Sequence, residues 1–402
     1  MDKLIMSRKE IEQAKVFERL KNRELTQVAA AKKLRLSPRW VREKLKRFLK
    51  HGEAGLIHKK RGRPSLRGVR EEIREDILDL ARGEWREFGP TFFAEKFKEM
   101  RGIKLSSETI RKIMMGDGVW KPRSRRQKHR KRRERRGMIG EMIQLDGSHH
   151  LWFENRGSES RLLVFIDDAT SRLLWLEFAE SESMQAVMTA TKHYMLKHGR
   201  PGSFYVDFGS VFSVNTNNPE HEKKTQFERA CQELAVDVIH ATSPQAKGRV
   251  ERVNGTLQNR LVKEMRLANI SSIAAANEFL QKSDYIAKHN ARFAVPPAQA
   301  GDAHRSLESY NLYNILCTKE NRKVQNDFTV VYKNRVFQLL KNQKTIVRPK
   351  QPIIVNEHLD GKITLSVCSV ALNVAELATR RPQKLTAVQY VNQTNEVAMN
   401  TA

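Results

Sequence analysis

Apolar residues recur at helical spacing through the first 57 positions, separated by short polar gaps. Ser7 and Glu10 form S-x-x-E, a capping box, which predicts a helix from there to about Arg23. TQVAAAKKL predicts a second helix, Thr26 to Leu34. Ser37 and Pro38 then supply a side-chain cap and a first helical residue with no N–H to lose. In the third helix Val41, Leu45, Phe48 and Leu49 fall at i, i+4, i+7 and i+8, one apolar face, and Gly52 ends it. Helix, tight turn, helix is the helix-turn-helix layout, whose second helix enters the major groove of DNA. Arg39, Arg42 and Lys46 lie off the apolar face and are candidate DNA contacts. A plain three-helix bundle with a solvated basic face would show the same pattern.

A similar arrangement recurs over residues 70–120 without a clear sequence repeat. Helices are predicted from Arg70 to Arg82 and from Thr91 to Arg101, the latter stopped by Gly102. Ser106 caps a third through Met115, with Ile110, Ile113 and Met114 inward and Lys112 a candidate DNA contact. Between the two units, residues 58–69 hold Arg61-Gly62-Arg63-Pro64, which resembles an AT-hook core. Arg61 and Arg63 in an extended Arg-Gly-Arg can lie in a narrow A·T minor groove; a bare linker is the other reading. Residues 121–136 carry eleven Lys or Arg and one Glu. Such a block repels itself and buries no core, so it reads as a linker, with Arg125, Arg126 and Arg130 available to clamp phosphates.

From Glu141 the pattern changes to short apolar runs. MIQLD predicts a strand ending at Asp146; Arg161–Asp167 and Leu173–Phe178 predict two more, joined by a tight DDATSR turn. Met184–His198 reads as helix closed by Gly199, Phe204–Asp207 as strand, Gln226–Leu234 as helix, Val236–His240 as strand and Arg249–Met265 as a long helix. This order is that of the ribonuclease H-like α/β fold, with parallel strand ends presenting a site on one edge. The core is expected over 139–290, with one helix from Ile273 to His289, and a helical connector over 291–325. FTVVYKNRVFQLL and KTIVRPKQPIIVNEHLDGKITLSV then read as strands of a small β-barrel over 326–378, with Asp360-Gly361 as a hairpin turn, before a polar tail at 379–402.

Composition narrows the partners. The formal net charge is +28 and the isoelectric point about 10.1, an excess that draws in polyanions and releases their counterions. No apolar run approaches the ~20 residues of a membrane span, and the N-terminus lacks the apolar segment of a signal peptide. A cytoplasmic, nucleoid-associated protein acting on double-stranded DNA is expected. Cys231, Cys317 and Cys368 are widely spaced and form no zinc pattern.

Three acidic residues carry the candidate chemistry. Asp146 and Asp207 each end an apolar run, and Glu251 opens a helix. Three carboxylates brought together offer hard oxygen ligands to Mg²⁺, which takes few protein groups beside water and phosphate. Lys247, Arg249 and Arg252 flank Glu251 and are candidate phosphate contacts; Asn254 lies three residues on, on the same helical face, as a candidate substrate contact. Asp167 and Asp168 are adjacent, and one of them could approach the metals or support the site.

QLDGSHHLWFENRG, FIDDATSRLLWLEF and SPQAKGRVERVNGTLQNRL resemble the integrase catalytic core of retroviral integrases and insertion-sequence transposases, specifically the bacterial ISNCY-like group. The resemblance extends to the helix-turn-helix arm and the GLIHKKRGRPS joint, spanning most of residues 10 to 270, and SPQ-x-x-G-x-x-E-x-x-N is its most specific motif. It implies a DDE transposase in which Asp146, Asp207 and Glu251 hold two Mg²⁺ or Mn²⁺ ions, about 3.5–4 Å apart. It further implies phosphodiester hydrolysis at transposon ends followed by strand transfer, with terminal inverted repeats and target DNA as partners and a homo-oligomer assembled on DNA. Two features depart from the family. Gln258 stands where many relatives carry Lys or Arg, with Arg260 or Lys263 as substitutes, and the Asp207–Glu251 interval is lengthened by SVNTNNPEHEKK. A transposase-derived repressor without catalysis and a simple nuclease without strand transfer are the alternatives.

Overall fold

The computed structural model describes residues 6–58, 68–122, 133–213, 224–241 and 248–377. Arg61, Arg63, Arg125, Arg126, Arg130, Lys247, nearly all of SVNTNNPEHEKK and the 379–402 tail lie outside the described residues. The chain divides into two units, Met1–Leu80 and Ala81–Ala402.

In the first unit α1 (Arg8–Lys21), α2 (Gln27–Leu34) and α3 (Pro38–His51) pack around Phe17, Leu20, Ala30, Val41 and Phe48. The Ser7–Glu10 box forms: the Ser7 amide donates to Glu10 Oε2 at 2.8 Å and the Glu10 amide to Ser7 Oγ at 3.4 Å. Arg35, left-handed at φ 52°, makes the turn between α2 and α3, and Ser37 Oγ caps α3 by accepting from the Trp40 amide. A short 3-10 turn, Gly52–Leu56, folds back on α3 so closely that a Cβ at Gly55 would stand 2.4 Å from the Arg47 carbonyl oxygen. Leu49, assigned to the buried face, is exposed. Leu56 and Leu45 close the core on the Phe48 side of the helix and leave Leu49 outside it. α4 (Glu71–Arg82) crosses the boundary between the units.

In the second unit α5 (Pro90–Arg101) carries Phe92, Phe93 and Phe97 into an aromatic cluster with Trp85 and Phe88, and α6 (Ser107–Gly116) follows. Ser106 caps α6 through the Thr109 amide at 3.0 Å; Ile110 and Met114 are buried while Ile113 is half-buried.

Residues 142–240 carry a mixed five-stranded sheet, in the order β3-β2-β1-β4-β5. Its strands are β1 (Met142–His150), β2 (Ser160–Asp167), β3 (Leu173–Ala179), β4 (Ser203–Val206) and β5 (Asp237–His240). β1, β2 and β3 pair antiparallel; β4 runs parallel to β1, and β5 parallel to β4. Residue alternation sends Ile143 and Leu145 to one face, packed with α7 (Met184–His198) and α8 (Gln226–Glu233). Leu162, Val164 and Ile166 line the opposite face, packed with α9 (Gly248–Leu267) and α10 (Ile273–Lys282). Asp146 lies mid-strand rather than at a strand tip, because β1 keeps pairing with β2 as far as His150↔Ser160. The helix expected over 273–289 is broken into α10 and α11 (Tyr285–Phe293). Ser283 is extended (φ −83°, ψ 162°), and its hydroxyl accepts from the Tyr285 amide, a local bond that competes with helix continuation.

The connector after α11 is mostly irregular, carrying only α12 (Leu312–Ile315) and the first strand of the C-terminal module, β6 (Thr318–Lys323). Pro296, Pro297 and Gly301 break helix there. Its backbone instead pairs with the core: the Val295 amide donates to Thr170 O and the Ala303 amide to Ile139 O.

The C-terminal module is two open sheets around one apolar core, not the expected barrel. β11 (Val370–Leu372), β10 (Ile363–Val367), β9 (Pro352–Glu357) and β6 form one; β12 (Val374–Leu377), β8 (Arg335–Leu339) and β7 (Thr329–Tyr332) form the other. Residues 340–351, read in part as strand, pair with no strand between β8 and β9, so the ladder does not close. The Asp360-Gly361 hairpin forms between β9 and β10, with Gly361 left-handed at φ 81°. Among the described residues no helix is long and apolar enough to cross a membrane.

Candidate active site

The site grows from one face of the sheet. β1 and β4 pair in parallel as Met142↔Ser203, Ile143↔Phe204 and Gln144↔Tyr205. That ladder ends two residues before Asp146 on β1 and two before Asp207, which follows β4 on the neighbouring strand path. The parity of the pleat places both on the face covered by α9. Asp207 immediately follows β4, and its carboxylate Oδ1 accepts from the Gly209 amide at 2.9 Å. The carbonyl of Asp207 lies 3.3 Å from His240 Nδ1, and His240 Nε2 meets Glu228 at 3.0 Å, so β5 and α8 hold the turn after β4.

The third acid arrives on α9. Val250, Val253, Leu257 and Leu261 form its apolar stripe against the sheet. Beside that stripe, Glu251, Asn254 and Gln258 fall at i, i+3 and i+7, a second row on one side of the helix. Asn254 Nδ2 donates to Asp146 Oδ2 at 2.7 Å, and Gln258 Nε2 donates to Ser148 Oγ at 3.2 Å. The row therefore runs along β1, and Glu251 stands one helical turn before the residue that holds Asp146. Asn254, read as a substrate contact, is 8% exposed and serves the acid instead.

Among the described residues no group of three or more His, Cys, Asp or Glu is gathered to hold a metal ion. The expected three-carboxylate cage is thus not closed: Glu251 is exposed at the start of α9, and the amide of Asn254 occupies Asp146. The donors still suit a hard cation. Mg²⁺ is commonly held by one or two carboxylates together with water and phosphate, and Asp146 and Asp207, on neighbouring strand paths, are the carboxylates that could hold it. Asn254 Oδ1 is buried with no hydrogen-bond partner among the described residues, an acceptor fitted to a water of hydration.

Behind this row lie two fully buried acids. Asp167 accepts from the Gly140 amide at 3.0 Å and from Thr170 through its amide at 2.8 Å and hydroxyl at 2.5 Å; burial raises its carboxyl above the ordinary range, against the pull of those bonds. Asp168 accepts from Arg249 Nη1 at 2.6 Å, Gln144 Nε2 at 2.5 Å, the Arg136 amide at 3.0 Å and the Arg133 guanidinium. Arg249, expected to meet phosphate, spends its guanidinium on Asp168 and the Arg133 carbonyl; Arg252 is exposed. Gln144 and Arg133 escaped the sequence reading because their role is set by partners distant in the chain.

The substitutes for the missing basic residue at Gln258 are elsewhere. Arg260 pairs with Glu95 of α5 at 2.7 Å and lies over the rings of Phe92 and Phe293, while Lys263 is buried with its ammonium over Phe88. Both are absorbed in the packing of α5 on α9, because each follows Glu251 by a spacing that turns it away from the Asn254 row. In the first unit Arg39, Arg42 and Lys46 are exposed on α3. Lys112 is exposed on α6, 4.0 Å from Glu108.

Comparison with known proteins gives the following. Residues 39–114 match a homeodomain-like domain and residues 12–65 a helix-turn-helix domain. The chain is 37% identical over 366 residues to the putative transposase y4bF of Sinorhizobium fredii (strain NBRC 101917 / NGR234), covering 90% of this chain and 80% of that protein. It is 29% identical over 400 residues to the transposase for insertion sequence IS1202 of Streptococcus pneumoniae, covering 88% and 83% respectively. Among solved structures, the HTLV-2 integrase catalytic core domain in complex with magnesium aligns at 19% identity and a TM-score of 0.27, covering 36% of this chain and 85% of that one.

Proposed function

We propose that this chain, which belongs to the bacterial insertion-sequence transposases of the integrase family, binds the ends of its element and cleaves and joins DNA strands at Asp146, Asp207 and Glu251. The observation that supports the reading is the parallel pairing of β1 with β4, which ends two residues before both Asp146 and Asp207, combined with the Asn254–Asp146 bond that ties the Glu251 row of α9 to β1. Asp146 and Asp207 would hold divalent metal, with Glu251 completing the set. Bound Mg²⁺ or Mn²⁺ supplies Lewis-acid polarisation of the phosphodiester and stabilises the leaving oxygen.

The chain's own residues set the geometry. Asn254 fixes the rotamer of Asp146, the Gly209 amide fixes that of Asp207, and exposed Arg252 stands where a phosphate strand would cross α9. Water attack breaks a P–O bond and frees a 3′-hydroxyl; that hydroxyl then forms a new P–O bond to target DNA while the target's own 3′ oxygen leaves. One site performs both steps because each exchanges one P–O bond for another. End binding belongs to Arg39, Arg42 and Lys46 on α3, with the Arg61–Arg63 hook and Arg125, Arg126, Arg130 and Lys247 adding phosphate or minor-groove contacts. Bringing two ends together requires more than one copy on DNA.

The test is cleavage and joining of end-sequence DNA with Mg²⁺ or Mn²⁺, using the wild type and Asp146→Asn. Metal-dependent nicks and joined product from the wild type alone are expected. Binding without cleavage by both proteins identifies a repressor, and cleavage without joined product identifies a nuclease.

A further inference from the structure

Asp168 opens the β2–β3 connection, is fully buried, and receives bonds from three directions. Gln144, two residues before Asp146 on the same face of β1, donates to it at 2.5 Å. Arg249, two residues before Glu251 in the first turn of α9, donates at 2.6 Å. Arg133 donates to the same oxygen, and its guanidinium lies 5.0 Å from the ring of Tyr205, two residues before Asp207. Each proposed catalytic acid therefore has, two positions upstream, a residue that reaches Asp168 directly or through Arg133. Gln144 and Tyr205 are themselves register partners, so the hub lies one row behind the acids on the sheet.

The hub also anchors the end of the basic segment. The Arg136 amide donates to Asp168 Oδ2 at 3.0 Å, and the Arg133 carbonyl accepts from Arg249. Arg135 Nη1 donates to the carbonyls of Asp168 and Ala169 at 3.1 and 3.2 Å and to Ser171 Oγ at 2.8 Å. A buried carboxylate is tolerated when charge and hydrogen bonds are both supplied, and removing it strands the guanidinium groups it neutralised.

Resting on the proposed DDE site, we infer that Asp168 is the positioning residue that sets the mutual placement of Asp146, Asp207 and Glu251, with Arg133–Arg136 docked on it as part of the same device. Residues that orient ligand-bearing side chains typically change metal affinity or activity by about 10–100-fold when removed. The placement of the acids, and with it metal affinity, is what the hub controls.

The test titrates Mn²⁺ into the full-length, DNA-free protein by calorimetry, for the wild type, Asp146→Asn, Asp168→Asn and Arg249→Gln. Melting curves and end-DNA affinity are measured alongside. Asp168→Asn and Arg249→Gln should each weaken Mn²⁺ binding by about 10-fold or more. Should Asp168→Asn fail to fold, Arg249→Gln, which removes one arm and leaves the carboxylate paired with Arg133, carries the comparison. Folded Asp168→Asn and Arg249→Gln proteins with wild-type Mn²⁺ affinity would overturn the inference while leaving the DDE site standing. Wild-type Mn²⁺ binding that Asp146→Asn does not weaken would remove the site itself, and the hub's role with it.

Discussion

Asn254 shows how much a single side chain can say about a site. Its three-residue spacing from Glu251 was visible in the sequence, but its partner was not, because Asp146 lies 108 positions away. The acids could be picked out because each sits in a short motif of its own. Asp168 could not be recognised as a hub, since its donors come from Arg133, Gln144 and Arg249 and meet only in the folded sheet. His289 is a second residue whose character comes from burial. It is 5% exposed on α11, and burial pushes its imidazole down to about 4, with Arg260 adding in the same direction. Its folded value lies below its unfolded one, so the unfolded chain binds the extra proton as pH falls, and the stability from this group is present above pH ~6.5 and lost toward pH ~4. Urea unfolding at pH 7.5 and pH 5 should show the wild type losing about 2 kcal/mol more than His289→Leu. Equal losses would mean that the imidazole is solvated in the folded protein.

Helices were legible at the scale of elements where caps and stops flank an apolar period. Ser7, Ser37 and Ser106 each cap the helix expected of them. Boundaries failed where local bonding outweighed periodicity. Ser283 splits one expected helix in two, and Lys333-Asn334, both left-handed at φ 44° and 64°, turn FTVVYKNRVFQLL into the β7–β8 hairpin without the glycine that usually marks such a turn. α3 is the element with the plainest functional expectation. Its cap, its length and the outward Arg39, Arg42 and Lys46 fit a recognition helix. Arg42→Ala should weaken binding to end-sequence DNA by about 1–3 kcal/mol, with a smaller loss on unrelated DNA, as read by fluorescence anisotropy. Equal end affinity in both proteins would place the recognition surface elsewhere; an equal loss on every sequence, with a shallower salt slope, would mark a phosphate contact.

The charge and the sheet topology set the character of the whole molecule. A formal net charge of +28 brings the chain to DNA, but charge alone does not cut it. The succession of strands and helices was legible from the alternation of runs, and the parallel strands β4 and β5 are each reached through a helix, as a parallel crossover requires. The C-terminal module was legible as β structure but not as two open sheets, since closure depends on whether residues 340–351 pair, and a Lys-rich run with Pro349 does not. The central claim is that this topology assembles a cation site from Asp146 and Asp207 with Glu251 joining from α9. An anomalous-difference map from Mn²⁺-soaked crystals of the full chain bound to end DNA tests it most directly. Density in contact with the carboxylates of Asp146 and Asp207 is the predicted result; Mn²⁺ held only by other residues, in a crystal where DNA lies across α9, would contradict it.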